Sequence, residues 1–282
     1  MTQIEDTSMH ASLPFARHIL SHHINLEGIP LEVLADKYDA TWYQQRKTFE
    51  EKVSLLYRFI RDERFVQFVD VGANVGLISI LAHRAAPQLH CIALEADPRL
   101  AELMRRNFSH LGLDNIQIIN AIVGMEQQAS TAFSLDNRVN IDGWEKTFLP
   151  MVTLDQVLNE HGITGKTFFK IDTQGFEYHV LRGCESWLRQ HHDWIIKMEF
   201  APNWLQSQGT DPLALLAWLQ DECDFEIAEF TERIPFGTPG IDALFSYPVT
   251  QDEREAFLAH VISLNKDGLG WVDLLVRPRP ER

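Results

Sequence analysis

Gly72 and Gly76 frame the segment Asp70-Val71-Gly72-Ala73-Asn74-Val75-Gly76, and Glu95 follows nineteen residues after the second glycine. Glycines at this spacing let a chain turn sharply and bring its backbone close to a ligand. A carboxylate one strand further along is the group that takes both hydroxyls of a ribose. Together they point to a nucleoside-containing cofactor. A dinucleotide site calls for G-x-G-x-x-G, where the backbone meets a pyrophosphate. Here the spacing is G-x-x-x-G, and Asp70 stands just before the first glycine. An acid in that place repels a pyrophosphate and suits a cationic amino-acid moiety. S-adenosylmethionine has an ammonium, a sulfonium, a ribose and no phosphate, so the electrostatics favour it over a nicotinamide dinucleotide.

A second set of residues suits the transfer step. Displacement at a sulfonium methyl acts on an activated carbon, so the protein must mainly align the acceptor and remove its proton. A sugar or alcohol hydroxyl is a very weak acid and calls for a base or a metal. Asp172 closes the segment KID, and Glu199 lies near the end of KMEF. Two carboxylates ending neighbouring parallel strands would share one cleft, where one of them can be raised into general-base range. With Asn203 the same pair could instead hold Mg2+ through oxygen ligands. Two carboxylates and one amide are few for a metal, so base or positioning ranks first.

Glu177 lies one turn into the helix after Asp172, where a helix N-terminus also welcomes an acid. Lys170 either pairs with an acid in the cleft or lies at the strand edge. Gln174 offers an amide for orienting a substrate. Among the twelve histidines, His179, on the same helix as Glu177, is the first to test as a base.

These residues need strands to hold them. FVQFVDVG (65–72), HCIALEA (90–96), NIQIINAIVG (115–124), TFFKIDTQ (167–174), DWIIKMEF (193–200), CDFEIAEF (223–230) and WVDLLVRP (271–278) read as buried strands. Helical periods separate them at 75–86, 98–112, 153–162, 176–191 and 211–222. Such alternation gives a doubly wound α/β fold with a mostly parallel sheet. Ligands then bind outside the carboxyl ends of the strands, where Asp70, Glu95, Asp172 and Glu199 all fall. Residues 43–62 read as an amphipathic helix, residues 1–40 show no clear element, and 125–150 look like an inserted loop or hairpin. The division expected is an N-terminal helical cap over 1–62 and a main domain over 63–282.

Forty acids against twenty-five bases leave a net charge of −15, which argues against a nucleic-acid partner. No stretch is long and apolar enough for a membrane span. The first ten residues contain no apolar core of a secretory signal. Cys91, Cys184 and Cys223 are odd in number and widely spaced, and read as buried thiols of a reducing, cytoplasmic compartment. Six acids between Asp221 and Glu232 read as a solvated or guarded sheet edge.

FVDVGANVGLISILA, ALEADPRLAELMRRN, NAIVG, VTLDQVL and FFKIDTQGFEYHVLRG occur in that order, and the chain over about residues 45–200 resembles the FkbM family of S-adenosylmethionine-dependent methyltransferases. The resemblance implies a Rossmann-like class I methyltransferase fold with one antiparallel strand. It also implies O-methylation of a hydroxyl on a sugar, glycan or other natural product. Asp70, Gly72, Asn74 and Gly76 would line the methionine half of the cofactor. Glu95 would bind the ribose, with Ala96 and Asp97 beside it, and Asn120 and Ala121 would flank the adenine. Glu50 would close over the methionine end, or stand as a solvated charge on its helix. For the acceptor, Phe133, Asn137, Arg138, Asn140 and Trp144 of the insertion border the expected cleft, as do Asn203 and Trp204. The segment 233–247 is a candidate lid. Two rival readings are a nicotinamide-dependent oxidoreductase and a methyltransferase-like protein without turnover.

Overall fold

Five consecutive buried residues in each of two short runs, Gln67–Val71 and Thr167–Ile171, mark strands covered on both faces. They lie at the centre of the sheet. The computed structural model describes residues 21–26, 28–34, 59–135, 138–139, 145–231 and 240–280. In chain order its strands are β1 (Ser21–Leu26), β2 (Ile29–Leu34), β3 (Gln67–Val71), β4 (His90–Glu95), β5 (Ile116–Asn120), β6 (Ile122–Val123) and β7 (Gln128–Ser134). They continue as β8 (Arg138–Val139), β9 (Lys146–Val152), β10 (Thr167–Ile171), β11 (Trp194–Phe200), β12 (Phe225–Phe230) and β13 (Val272–Pro278). The helices are α1 (Leu77–Ala85), α2 (Pro98–Leu111), α3 (Leu154–Glu160), α4 (Glu177–Arg182), α5 (Glu185–Gln190), α6 (Pro202–Ser207), α7 (Pro212–Ala217), α8 (Ile241–Leu244) and α9 (Arg254–Ser263).

Among the described residues the main sheet runs β12-β13-β11-β10-β3-β4-β5. Neighbours from β11 to β5 are parallel, and β13 alone runs against both β11 and β12. This is the expected class I methyltransferase order, with its one antiparallel strand. Helices cover both faces. Phe68, Phe168 and Ile195 face one side with Ile80 of α1 and Leu103 of α2. Val69, Phe169 and Ile196 face the other with Leu158 of α3, Leu188 of α5 and Leu215 of α7. The acidic edge is also as expected: β12 borders the sheet, and Arg277 of β13 meets Glu226 at 2.7 Å.

Several local readings change. The described residues of 125–150 are chiefly strand: β7, β8 and β9, with β6 just before them, form a separate sheet around Ile122, Phe133, Leu135, Leu149 and Met151. The expected strand 115–124 therefore breaks at Ala121, and its end leaves the main sheet. The expected helix 176–191 is two helices, α4 and α5. At Gly183 between them a Cβ would overlap the Gly124 carbonyl oxygen. Residues 21–34 form the hairpin β1–β2, where no element was expected. Its alternating buried face packs on α2, and Asn107 bonds both Glu32 backbone groups, at 2.7 and 3.1 Å. The described part of 1–62 is thus mainly β, with helix at 59–62. Glu50, most of helix 43–62, Asn137, Asn140, Trp144 and residues 233–239 lie outside the described residues, as does the Arg138 side chain. Among the described residues no helix is long and apolar enough to cross a membrane. All three cysteines are free and buried.

Candidate active site

The sheet register arranges the site in rows along one face. Cys91, Phe68, Phe168 and Ile195 are neighbours across β4, β3, β10 and β11. Two residues nearer the carboxyl ends, the same face presents Ala93, Asp70, Lys170, Lys197 and, on β13, Leu275. One further step brings Glu95, Gly72, Asp172 and Glu199, with Asn120 in register with Glu95 and Asp273 in register with Glu199. Moving toward the strand ends, the face passes from apolar to paired charges to acids.

On the β3–β5 side, backbone groups hold the acid. Glu95 is 7% exposed, and its carboxylate accepts from the Asn74 N–H at 2.7 Å and the Asp97 N–H at 2.8 Å. Burial pushes its carboxyl up to about 7, against the pull of those two hydrogen bonds. Each oxygen keeps a second lone pair, so hydroxyl donors from a ribose would fit its chemistry. Asn74 turns with φ +56°, and its side-chain oxygen accepts from the Val75 N–H at 2.8 Å. The Asn120 amide donates to the backbone carbonyls of Glu95 and Ala96, at 2.8 and 3.0 Å. It fixes the strand end that carries the acid. Ala96 packs against the small sheet beside Phe176, and Ala121 is buried where β5 gives way to β6. The residues at these strand ends fit an adenosyl cofactor.

Asp70 and the glycines have close neighbours within the protein. Asp70 is fully buried, accepts from Ser79 Oγ at 2.7 Å and faces Lys170 Nζ at 3.4 Å. Gly72 and Gly76 do adopt left-handed backbone, with φ +78° and +85°. The space beside them, however, is filled by protein. A Cβ on Gly72 would overlap the Asp172 carbonyl oxygen, and one on Gly76 would overlap the Phe108 ring. The glycines let the turn pack tightly between β10 and α2.

On the β10–β11–β13 side, charges face charges. Asp172 keeps 41% of its side chain exposed, with Lys170 Nζ at 3.6 Å and the Gln174 amide at 3.2 Å. Burial favours the protonated carboxyl, but Lys170 and Lys197 outweigh it and hold the group below its ordinary value. Glu199 goes the other way. Burial pushes its carboxyl well above the usual carboxylate range, and the charges of Asp172, Glu177 and Asp273 add to that against Lys197. Lys197 itself bonds Asp273 at 2.6 Å. The structure therefore brings Asp172 and Glu199 together, with opposite proton affinities. Lys170 is 8% exposed; burial lowers its pKa, but Asp172, Asp70 and Glu95 outweigh this and keep it charged.

Glu177 and His179 are not joined to this pair by any hydrogen bond or ion pair among the described residues. Glu177 is 1% exposed and accepts from the backbone N–H groups of Thr173 and Gly175, at 2.7 and 3.3 Å. It staples the loop after β10, and burial raises its carboxyl to about 7. His179 stacks on Phe176 with ring centroids 4.0 Å apart, and burial lowers its pKa. Glu177 thus holds the loop after β10 and adds its charge to the surroundings of Glu199, while His179 packs against an aromatic ring. Asn203 is exposed at the start of α6, and the loop at Gly175 lies against the Trp204 carbonyl. Among the described residues no three His, Cys, Asp or Glu side chains are grouped to hold a metal ion.

Lys197 and Asp273 join the site without having been expected from the sequence. The signal for Lys197 was present: Lys170-Ile171-Asp172 and Lys197-Met198-Glu199 repeat one spacing on adjacent strands, in register. Asp273 interrupts an otherwise apolar strand, and only the antiparallel pairing with β11 places it opposite Glu199.

The family profile described as "Methyltransferase FkbM domain" matches residues 70–227, more than half of the chain. No curated protein matches. Similar solved structures include cofactor-bound Rv0187 from MTB, at 14% identity and TM-score 0.46, with 83% of this chain and 81% of that chain covered. A methyltransferase FkbM from Methylobacillus flagellatus has 12% identity and TM-score 0.44, with 76% of this chain and 43% of that one covered. A precorrin-6y C5,15-methyltransferase from Geobacter metallireducens has 12% identity and TM-score 0.42, with coverages of 83% and 90%. The assignment rests on the family match, together with the strand order: the chain belongs to the FkbM methyltransferase family.

Proposed function

We propose that this S-adenosylmethionine-dependent methyltransferase acts on a hydroxyl of a sugar, glycan or other natural product. The observation that carries the reading is the Asp172–Glu199 pair at the ends of adjacent parallel strands, one carboxyl held low by two lysines and its neighbour pushed high by burial and by three acids. A base works best when its pKa lies near the working pH, and a hydroxyl needs a base more than an amine does. Glu199 is the group that takes the proton. Asp172, half-exposed and ionised, accepts a hydrogen bond from the acceptor and holds it in line.

Bound S-adenosylmethionine supplies an electrophilic methyl group on a sulfonium. Glu95 takes the ribose hydroxyls, and the backbone turn at 72–76 carries the methionine half. Ala96, Asn120 and Ala121 border the adenine. When bound, S-adenosylmethionine would supply the methyl group and leave as S-adenosylhomocysteine, and Glu199 would take the proton of the hydroxyl being methylated. The proton then leaves to water. Lys170 and Lys197 already neutralise the Asp172 side of the pair, so the transfer is drawn with a carboxylate base and without Mg2+.

The test is incubation with methyl-13C-labelled S-adenosylmethionine and a panel of saccharides and hydroxylated natural products, read by NMR. A labelled O-methyl carbon is expected, with the rate retained in EDTA. Labelled N-methyl or C-methyl product would overturn the acceptor class. Loss of rate in EDTA, restored by Mg2+, would move the role to a metal held by Asp172, Glu199 and Asn203.

A further inference from the structure

Lys170 is the most connected cation of the site. Its ammonium donates to the Gly72 carbonyl at 2.7 Å and lies 3.4 Å from Asp70 Oδ1 and 3.6 Å from Asp172 Oδ2. Three groups, one on a strand and two on loops, thus converge on one nearly buried nitrogen. Asp70 Oδ1 has no hydrogen-bond partner among the described residues, so Lys170 is its electrostatic partner. Gly72 begins the left-handed turn whose next residues, Ala73 and Asn74, hang from the Leu94 carbonyl and the Glu95 carboxylate. The turn is therefore tied to β4 on one side by its own N–H groups and to β10 on the other by Lys170. Asp172 follows Lys170 by two residues, so the same nitrogen fixes the first residue of the acceptor side.

We infer that Lys170 is a positioning residue for the cofactor: by holding the Gly72 carbonyl and countering Asp70, it sets the 72–76 turn in the conformation that binds S-adenosylmethionine. A lysine that only balanced a buried aspartate would be dispensable once that aspartate was neutral, because a buried ion pair can be replaced by neutral groups at little cost in stability. A lysine that also holds the turn would not be. Asp70 and Gly72 leave the two roles separable, since they are different groups on the same nitrogen.

The full chain therefore serves as wild type, Lys170→Met, and the double variant Asp70→Asn with Lys170→Met. Melting temperature is measured beside S-adenosylhomocysteine affinity by calorimetry, so no acceptor is needed. The single variant is expected to melt lower and to bind at least tenfold more weakly. The double variant is expected to recover most of the melting temperature while its affinity stays at least fivefold below wild type. Recovery of wild-type affinity in the double variant would show Lys170 to be only the counter-ion of Asp70 and would overturn the inference. If the double variant remains unstable, Asp70→Asn alone decides: with Lys170 still holding the turn, affinity near that of the wild type is expected, and a loss as large as that of Lys170→Met would show the Asp70 charge to be what matters and would overturn the inference. Absence of S-adenosylhomocysteine binding in the wild type would be a different failure, that of the cofactor assignment itself.

Discussion

Glu95 and Glu199 occupy the same row of the sheet face, on opposite sides of Gly72, yet their surroundings differ in kind. Glu95 is held by two backbone N–H groups and has Asn120 fixing the strand beneath it. Glu199 receives no hydrogen bond among the described residues and is surrounded by Asp172, Glu177 and Asp273. Burial is the largest cause raising both carboxyls; Asp97 adds to it at Glu95, where two backbone N–H groups pull the other way, and Asp172, Glu177 and Asp273 add to it at Glu199. A carboxylate fixed by backbone amides keeps one geometry and suits holding a ligand. A carboxyl poised by neighbouring charges suits exchanging a proton. One sheet face thus supplies a gripping half and a proton-handling half.

The largest effect should come from the proton-handling half. Glu199→Gln and Asp172→Asn are each expected to lower kcat by about 10^2–10^4-fold, measured with the acceptor found by the labelled-methyl panel. Cofactor affinity should stay near that of the wild type. Retained turnover in both variants would remove the division of labour altogether.

Gly72 sits at the seam. An alanine there meets both a φ of +78° and the Asp172 carbonyl, so Gly72→Ala should destabilise the fold by about 3 kcal/mol. Urea unfolding measures this, and an unchanged midpoint would show that the two halves are less tightly joined than described. In the gripping half, Glu95→Ala should weaken S-adenosylhomocysteine binding about ten- to a hundredfold by calorimetry, with little change in the fold.

The smallest effect is in pH. The Glu95 carboxyl stands at about 7 in the free protein, and hydroxyl donors favour its ionised form, so its value falls in the complex. Cofactor affinity should therefore be constant above about pH 7 and drop about tenfold per unit below it, until the complex's own lower value is reached. Glu95→Gln should flatten that profile. A slope that survives the substitution would assign the titration to another group.

The gripping half was legible in the sequence because its signals are local. Two glycines, an acid one strand on, and short apolar runs report strand ends directly. Their local purpose was less legible: Gly76 makes room for Phe108 of α2, a contact between residues 32 positions apart. Asp70 gains Lys170, a hundred residues later, as a neighbour only when β3 and β10 pair. The same holds for Asp273, which joins the row through an antiparallel pairing that periodicity cannot foretell. The small sheet in 125–150 was hidden because β7 is exposed over its first three residues and mixes polar with apolar residues, with a bulge between Gln128 and Thr131. The buried face of the hairpin at 21–34 packs on α2, which follows it by more than sixty residues.

The most direct measurement is a crossed comparison of Glu95→Gln and Glu199→Gln. S-adenosylhomocysteine affinity and single-turnover methyl transfer would be measured on both at saturating cofactor. Glu95→Gln is expected to lose affinity and to keep its transfer rate once saturated, while Glu199→Gln keeps affinity and loses transfer. Loss of affinity in Glu199→Gln equal to that in Glu95→Gln, or undiminished transfer by it, would contradict a sheet face divided into a half that grips and a half that moves a proton.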